Sequence, residues 1–267
     1  MKKIIALVMA LTLAVAFVAC GEKAETTAAT TAATTVATTV ATEEVPNDSK
    51  VTNYAEFVAA EVDTAVEIET YVQATQSWWN DQITVYTQNQ DGGIFVYNMV
   101  CSEADAAKLV PGTKIKVTGF KTEWRGEIEI AEGATFEFVE GGDTFIAEAI
   151  DATALLGTDE LVEHQNQFVA FKGLTVVPSV DANNNEKAFL YNWDGSGSEG
   201  TDSDLYFNVT DGTNTYTFVV EYYLCNESTD VYKAVQALNV GDVVDVEGFV
   251  YWYEAVQPHI TSLTVVK

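Results

Sequence analysis

The chain has 267 residues, which is enough for one large or two ordinary domains. Its formal net charge is -27, from 13 Lys and Arg residues against 40 Asp and Glu residues, and 48% of its residues are hydrophobic. That apolar fraction excludes a wholly disordered chain and places the acidity on a solvated surface. A surface this acidic repels nucleic acid at long range.

The first residues have the pattern of an export signal. Lys2 and Lys3 form a positively charged start, and the apolar run Ile4–Val18 is too short for a comfortable membrane span. The letters FVAC, which end at Cys20, resemble the end of a bacterial lipoprotein signal. The resemblance implies a signal peptide over residues 1–19 and a lipid on Cys20, which anchors the protein to the bacterial cell membrane in an extracytoplasmic location. The alternative is an ordinary signal peptide with a chance cysteine.

A low-complexity segment follows the signal. Only Ala, Thr and Val occur from Thr26 to Thr42. This composition has neither the apolar bulk to pack nor the turn residues to fold back, so residues 20–50 are predicted to be a disordered tether. Its threonines are candidate glycosylation sites, which the sequence leaves undecided.

One phrase occurs twice in the remaining chain. Residues 109–120 read LVPGTKIKVTGF, and residues 238–249 read LNVGDVVDVEGF. In both, a glycine suited to a turn precedes a strand pattern, and a second glycine, Gly119 or Gly248, stands inside the strand. Internal repetition of this kind predicts a repeated domain.

Both repeats predict the order strand, strand, strand, helix, strand, strand. In the first repeat, apolar residues alternate with polar ones, and a DGG turn precedes the third strand. Its strands are predicted at 66–72, around 83–85, at 94–100, around 115–117, and at 127–130 with 135–139, and its helix at 102–109. In the second repeat, strands are predicted at 168–177, 205–209, 214–221, 242–251 and 259–266, and the helix at 228–238.

A small antiparallel sheet of five strands exposes its edges unless it closes, and glycines inside the strands permit the coiling that closure requires. With a helix between strands three and four, this order resembles the OB-fold. Residues 51–267 resemble the paired OB-fold domains of uncharacterised bacterial surface lipoproteins. The resemblance implies an all-β protein with short helices, built as two tandem five-stranded OB-fold barrels. The first occupies residues 51–142, and the second occupies 143–267 together with a bridging helix.

Shorter features complete the predicted fold. Asn53 is a candidate N-cap for a helix over 54–60, and the letters DATALLGTDELVE at 151–163 predict the bridging helix. Cys101 and Cys225 each end an apolar strand of their own repeat. We therefore predict two buried free thiols rather than a disulfide.

The sequence shows no arrangement of residues that indicates catalysis. His164 and His259 lie near no Ser or Cys in a nucleophile motif, and no Gly-rich phosphate loop is present. We predict that the protein is not an enzyme and carries no cofactor. The acidic connection over 181–204 begins like a calcium loop, but Glu186 stands where the turn glycine belongs. A solvated loop is favoured there over a metal site, although the sequence does not decide.

The OB-fold resemblance also implies where a ligand would bind. OB barrels bind ligands on the face of strands two and three, between the loops that join strands one and two and strands four and five. Aromatic residues at both places suit stacking on flat ligand faces. The candidate ligand-binding residues are Trp78, Trp79, Tyr86, Phe95, Tyr97, Lys116, Trp124, Trp193 and Trp252. The alternative for each ring is packing at a barrel end or between the barrels.

One stripe of basic residues bears on the choice of ligand. All basic residues of 51–142 lie between Lys108 and Arg125, and three of them, Lys114, Lys116 and Lys121, follow strand four. Binding of a polyanion depends largely on neutralising its phosphates, so this stripe is the feature that favours nucleic acid.

Together these features favour a lipid-anchored, extracytoplasmic, non-catalytic binding module that recognises a glycan or a partner protein through aromatic loops. The alternative is binding of single-stranded nucleic acid through the first barrel, and a third possibility is a structural spacer in the cell envelope. The sequence does not name the ligand, the oligomeric state, or whether the two barrels share one site.

The anchor is testable by Cys20→Ser. If Cys20 carries the lipid, the variant should leave the membrane fraction for the medium or stay unprocessed, because no other feature of the signal would retain the mature protein. Fractionation and immunoblotting measure this. Normal processing together with unchanged membrane retention would contradict the prediction.

Overall fold

The computed structural model of the protein describes residues 50–267. The predicted signal peptide, Cys20 and almost all of the predicted tether lie outside the described residues, so the lipid anchor stays a prediction. No helix within residues 50–267 is long and apolar enough to cross a membrane.

The described chain consists mainly of β-strands. In chain order they are β1 (Ala65–Thr75), β2 (Gln82–Gln88), β3 (Gly93–Val100), β4 (Lys114–Trp124), β5 (Glu127–Ile130), β6 (Thr135–Phe138), β7 (Ile150–Asp151), β8 (Phe168–Val177), β9 (Ser179–Val180), β10 (Glu186–Lys187), β11 (Leu190–Tyr191), β12 (Leu205–Thr210), β13 (Thr215–Val220), β14 (Val243–Phe249), β15 (Trp252–Tyr253), β16 (Ala255–Val256) and β17 (His259–Val265). The helices are α1 (Tyr54–Ala59), α2 (Glu103–Ala106) and α3 (Asp230–Gln236), with 3-10 turns at Thr153–Leu155 and Asp159–His164.

The first five strands close into barrel 1, with the order β1-β2-β3-β5-β4 and a further pairing of β4 with β1. Neighbouring strands are antiparallel except β3 and β5, which run parallel. The long strand β4 pairs with β1 and β6 through its first half and with β5 through its second. The predicted fifth strand is therefore divided into β5 and β6.

Barrel 2 repeats this plan. Strands β8, β12, β13, β17 and β14 close in the same order, and β13 and β17 are again the parallel pair. In each barrel a short helix, α2 or α3, lies between the third and fourth strands, as in the OB-fold. The predicted all-β fold with two tandem five-stranded OB-fold-like barrels is confirmed for the described residues.

Alternating side chains fill each barrel. Val66, Ile68 and Val117 are buried in the core of barrel 1, as their period-two spacing predicts. Barrel 2 has a separate core, in which the rings of Phe171 and Phe218 lie with their centroids 5.4 Å apart. Each repeat of the sequence therefore has its own hydrophobic core.

The two strand glycines of the repeated phrase stand where a neighbouring strand or turn approaches closely. A Cβ atom at Gly119 would lie 2.7 Å from Cγ2 of Ile130. A Cβ atom at Gly248 would collide with the backbone of His259, at a point where the register of β14 and β17 shifts. Closure therefore leaves no room for a side chain at either position.

Polar caps begin the helices. The side chain of Asn53 accepts a hydrogen bond from the backbone N of Glu56 at 3.0 Å, and the hydroxyl of Ser102 accepts one from Asp105 N at 3.1 Å. All three helices lie where they were predicted. Each of them is shorter than its predicted range.

The prediction of a bridging helix at 151–163 is wrong. β7 is extended there and pairs with β8, and two 3-10 turns follow it, separated at Gly157. Gly157 has a φ of +76°, and a right-handed helix cannot pass through that conformation. Leu156 and Leu161 are nevertheless buried in the core of barrel 2, so they pack without forming a helix.

The residues after β6 still contact barrel 1. The side chain of Gln73 donates a hydrogen bond to Phe145 O at 3.1 Å and accepts one from Ala147 N at 2.8 Å. Contacts of barrel 1 therefore extend beyond residue 142. The domain boundary between 142 and 143 stays a prediction.

Both cysteines within the described residues are free and buried, as predicted. Cys101 lies in the core of barrel 1 and Cys225 in that of barrel 2. Burial raises the pKa of Cys101 to about 11 and that of Cys225 to about 12, so both remain thiols at neutral pH.

Gly248→Ala tests whether this position of β14 must lack a side chain. It should lower the free energy of unfolding by at least about 2 kcal/mol, because backbone must move to admit the Cβ atom. Urea unfolding followed by circular dichroism measures this. Gly142→Ala is the matched control, since its Cβ atom would lie 3.2 Å from the flexible side chain of Lys114 and no nearer than 3.8 Å to backbone. Its effect should stay within about 0.5 kcal/mol, and equal effects of the two variants would contradict the account.

Candidate ligand-binding groove

Part of the outer face of barrel 1 is buried against barrel 2. Tyr86 on β2 and Phe95 on β3 form a cluster with Phe249 of β14, apart from both barrel cores. The ring centroids of Tyr86 and Phe249 are 4.6 Å apart, and those of Tyr86 and Phe95 are 5.0 Å apart. All three residues are at most 3% exposed. This part of the face is therefore closed to a ligand.

A buried hydrogen bond joins the barrels at this cluster. The hydroxyl of Tyr86 lies 2.6 Å from Nδ1 of His259, the first residue of β17. Burial lowers the pKa of His259 to about 3 and raises the pKa of Tyr86 well above its usual value. The bond therefore joins two neutral groups at neutral pH, which avoids the cost of burying a charge.

A buried carboxyl group lies beside the same contact. Oε2 of Glu127 accepts hydrogen bonds from the backbone N of Trp252 at 2.9 Å and from Nε2 of Gln165 at 3.3 Å. Its Oε1 has no partner among the described residues. Burial is the main cause that raises the pKa of Glu127 well above 4.5. Glu127 therefore keeps a proton at pH values where surface carboxyl groups are ionised.

The rest of this outer face is open and forms two adjoining clefts. The first, of about 460 Å³, is lined by Tyr97, Thr122, Glu123, Trp124, Glu129 and Tyr251. The second, of about 340 Å³, is lined by Gln76, Ser77, Trp79, Gln82, Ile83, Thr84, Tyr97, Asn98 and Tyr223. Tyr97 lines both clefts, and the two together are called the aromatic groove below. Their volumes lie within the range of small-ligand sites, roughly 300–1,000 Å³.

Strand register places the groove residues on one face. Thr122 of β4 pairs with Glu129 of β5, which in turn pairs with Phe95 of β3. Side chains two residues apart on a strand point the same way, so Trp124 and Tyr97 share that face. Barrel 2 supplies the opposite wall, where the carbonyl of Tyr223 accepts a hydrogen bond from Ser77 N at 2.7 Å.

Three of the predicted site residues lie in the aromatic groove. Trp79 precedes β2 and is 73% exposed, Trp124 ends β4 and is 56% exposed, and Tyr97 on β3 is 42% exposed. They come from the two loops and the strand face that the OB-fold resemblance implied. This arrangement brings together residues that are far apart in the sequence.

Three other predicted residues offer little or no surface to a ligand, in contrast to the prediction. Tyr86 and Phe95 are covered by barrel 2, as described above. Trp78 is partly buried against the core of barrel 1, and its indole Nε1 donates a hydrogen bond to Cys101 O at 2.8 Å. For these rings the alternative of packing between or at the end of the barrels is the correct one.

The two predicted tryptophans of barrel 2 lie outside the groove. Trp252 packs against the core of barrel 2, and its ring lies against Gly126 of barrel 1, so it belongs to the contact between the barrels. Trp193, in the connection between β11 and β12, is 75% exposed and lines neither cleft.

Each lysine of the basic stripe of β4 already has partners within the protein. Lys116 Nζ lies 3.1 Å from Glu137 Oε2, and Lys114 Nζ lies 2.9 Å from Glu69 Oε2. Lys121 is buried, and its Nζ donates hydrogen bonds to three backbone carbonyls at the end of α1. The stripe was the feature that favoured the nucleic-acid alternative, and its three lysines already have partners; Lys116, a predicted ligand-binding residue, lines neither cleft.

Sequence reasoning missed Tyr223 and Glu129 as groove residues. Glu129 follows the outward alternation of β5, but carboxylates occupy outward positions on other strands of this acidic chain as well, and nothing in the sequence distinguishes Glu129 from them. Tyr223 lies in the turn that follows β13, and no strand pattern singles it out. Only the packing of barrel 2 on barrel 1 brings it to the groove.

The acidic connection of barrel 2 is held together by its own hydrogen bonds. The carboxylate of Asp181 accepts bonds from the backbone N of Asn183 at 2.8 Å and of Asn185 at 2.9 Å. Within residues 50–267, no group of three or more His, Cys, Asp or Glu side chains is arranged to hold a metal ion.

Comparisons with known proteins give limited similarity. No protein-family model matches the sequence, and no curated protein matches it either. Among solved structures, the p204 HINb domain matches with 12% identity and a TM-score of 0.33, over 78% of this chain and 100% of that chain.

Two further similar structures contain DNA. A murine DNA-binding protein bound with double-stranded DNA has 13% identity and a TM-score of 0.34, over 75% of this chain and 95% of that chain. The Ifi202 HINa domain in complex with 20bp dsDNA has 10% identity and a TM-score of 0.34, over 74% of this chain and 94% of that chain. Similarity at this level carries no argument about what this chain binds.

The buried carboxyl group predicts a pH dependence of stability. A pKa raised in the folded state means that the folded protein holds its proton more tightly. The contribution of Glu127 to stability is therefore largest below about pH 4.5 and is lost as the pH rises through the folded-state pKa. Glu127→Gln keeps an acceptor oxygen and removes the ionisation, so the gain in unfolding free energy should be about 1–3 kcal/mol near pH 8.

Urea unfolding at several pH values measures this gain, which should shrink toward zero near about pH 5. The control is Glu247→Gln, which removes a carboxylate from the exposed side of β14. It should change stability by less than about 0.5 kcal/mol at any pH. A Glu127→Gln gain that did not vary with pH would refute the assignment.

Proposed function

We propose that the protein is a non-catalytic binding module whose ligand is a glycan held in the aromatic groove. The observation that carries the proposal is the groove itself, in which Trp79, Tyr97 and Trp124 are exposed along one face. Side chains this large are rarely exposed together without a binding role. Sugar rings present flat apolar faces that pack well on such rings.

The rest of the lining fits hydroxyl groups. Gln76, Gln82, Thr84 and Asn98 line the second cleft, and each has donors, acceptors or both. A few polar groups among aromatic ones are typical of small-molecule sites, where the rings contribute affinity and the polar groups fix orientation. A glycan satisfies both kinds of group along its length.

Charge supports a glycan over a polyanion. Glu123 and Glu129 line the first cleft, and no Lys or Arg lines either cleft. The overall net charge of -27 adds long-range repulsion of phosphates. A glycan without acidic groups does not meet this repulsion.

The second candidate is nucleic acid. Exposed rings such as Trp79, Tyr97 and Trp124 can stack on bases as well as on sugar rings. The pairing of Lys114 and Lys116 with acidic residues counts against it, because displacing those partners would offset the gain from phosphate contacts.

The proposed location is extracytoplasmic, at the surface of a bacterial cell, through a lipid on Cys20. It rests on the N-terminal sequence alone. A glycan ligand fits this location, since cell-surface and environmental glycans are found there.

Loss of a groove tryptophan tests the proposal. Trp124→Ala and Trp79→Ala should each weaken the binding of an oligosaccharide about 5- to 150-fold, because stacking on one ring is worth about 1–3 kcal/mol. Titration calorimetry with β-linked glucose, N-acetylglucosamine, xylose and mannose oligomers measures this. Trp193→Ala is the matched control, because Trp193 is equally exposed and lies outside the groove. It should bind like the unchanged protein.

Salt separates the two candidates. Binding of neutral oligosaccharides should change little between low and physiological ionic strength. The second candidate would be favoured by a complex with single- or double-stranded oligonucleotides that meets three conditions. The complex tightens steeply at low salt, persists at about 0.15 M salt, and requires Lys114 and Lys116. Absence of binding to every oligosaccharide would end the glycan proposal.

A further inference from the structure

One acidic side chain of the aromatic groove has no partner. Glu129 is only 6% exposed, and it lines the first cleft beside Tyr97, Trp124 and Tyr251. No hydrogen bond or ion pair reaches its carboxyl group from residues 50–267, and burial alone raises its pKa. Glu127, two residues earlier on the same strand, has two donors from barrel 2. The difference is that Glu129 faces the cleft.

An unpartnered carboxyl group is costly at a buried position. Buried polar groups are nearly always hydrogen-bonded, and an ionised carboxylate needs a donor or an opposite charge. No cationic side chain of the described residues lines the cleft. Arg125, 5.8 Å from the ring centroid of Trp124, is already paired with Glu254. The carboxyl group of Glu129 faces the open cleft, so its hydrogen-bond donor is water or a ligand bound there.

We propose that the first cleft selects a glycan unit with a free amino group, whose ammonium is bound by the carboxylate of Glu129. The inference rests on the proposed function and specifies its substrate class. The ring of the amino sugar lies among Tyr97, Trp124 and Tyr251, and Glu123 adds a second negative charge at the cleft wall. The following sugar units continue past Tyr97 into the second cleft.

The lining favours an ammonium group over a hydroxyl group. A hydrogen bond between an ammonium and a carboxylate is roughly twice as strong as one between neutral groups. Aromatic faces around the cleft attract a cation as well, by about 0.5–2 kcal/mol. An amino sugar is preferred to a lysine side chain as the ligand because the groove continues into the second cleft. That cleft is lined by Trp79 and by the neutral side chains of Gln76, Thr84 and Asn98, which suit further sugar rings.

Protonation of Glu129 should regulate the affinity. Its pKa is about 7, and the groups around it are Tyr97 on β3, Glu123 on β4, Glu127 on β5 and Tyr251 from barrel 2. These groups are neutral or negative, so none competes with the ligand cation for Glu129. Affinity for the amine should therefore rise as Glu129 ionises above about pH 5.5, and it should fall again above about pH 8, where the amino group of the sugar, like an α-amino group, has lost its proton.

The probes are two trisaccharides, the β-1,4-linked glucosamine trimer and its fully N-acetylated counterpart. Titration calorimetry with the full chain at about pH 7 and about 0.15 M salt limits long-range attraction of cations. We expect the glucosamine trimer to bind at least about tenfold more tightly. Glu129→Gln should reduce it to the level of the acetylated trimer, whose own binding should change less than about twofold. Thermal melting checks that the variant is folded.

Glu247→Gln removes the same charge from the exposed side of β14 and should keep the preference. Equal binding of the two trimers to the unchanged protein would overturn this inference and leave the glycan proposal standing, and that comparison needs no variant. A preference that survived Glu129→Gln would also overturn it. A lysine tripeptide is the remaining probe. If it binds as tightly as the glucosamine trimer and depends on Glu129 in the same way, the cleft recognises an ammonium group without a sugar, and the proposal of an amino sugar is wrong. Absence of binding by either trimer would count against the proposed function as well.

Discussion

The packing of barrel 2 on the outer face of barrel 1 is the constraint on which the candidate site depends. The stacked rings of Tyr86 and Phe249 and the buried bond between Tyr86 and His259 fix the two barrels against each other. A lone OB barrel would expose the whole face of its second and third strands. Here one part of that face is used to hold the barrels together, and the remaining part becomes a groove because Tyr223 and Tyr251 of barrel 2 form its other wall.

The same contact gives two carboxyl groups of one short strand different chemistry. Glu127 and Glu129 lie two residues apart on β5 and point to the same side. Barrel 2 reaches Glu127 with a backbone N–H and an amide, and it encloses that group almost completely. It stops short of Glu129, which is buried by its neighbours but not bonded by them. One is therefore a structural acid, and the other is available to a ligand.

Ion pairs between lysines and carboxylates determine how much positive charge the surface offers to an anionic ligand. Lys114 and Lys116 of β4 lie between acidic strands and pair with Glu69 on β1 and Glu137 on β6, so these two lysines have little positive charge free for a ligand. The groove itself carries acceptors and aromatic rings. A protein with this charge distribution repels anionic ligands, and its net negative charge raises the local concentration of cations near the groove.

Much of the fold was predictable from local pattern. The repeated phrase around Gly119 and Gly248 predicted two equivalent barrels, because a glycine that fits where a strand bends sharply leaves the same mark in each copy. Period-two alternation predicted the strands and their buried sides, and the polar residues Asn53 and Ser102 predicted where two of the helices begin. Each of these features depends on neighbours close in sequence or on one face of one strand.

Other features depended on contacts between distant parts of the chain. The alternation of apolar and polar residues predicted that Tyr86, Phe95 and Tyr97 point outward from barrel 1. It carries no information about what packs on the outside of the barrel. Barrel 2 buries the first two and leaves the third open. In the same way, the sequence showed a stripe of lysines on one strand and a surplus of carboxylates. Only the order of strands β1, β4 and β6 in the sheet placed those lysines beside their acidic partners. The sequence by itself determined the two barrels and the direction of the side chains on their strands. The tertiary structure alone decided which outward side chains meet solvent, because that depends on how one barrel covers the other.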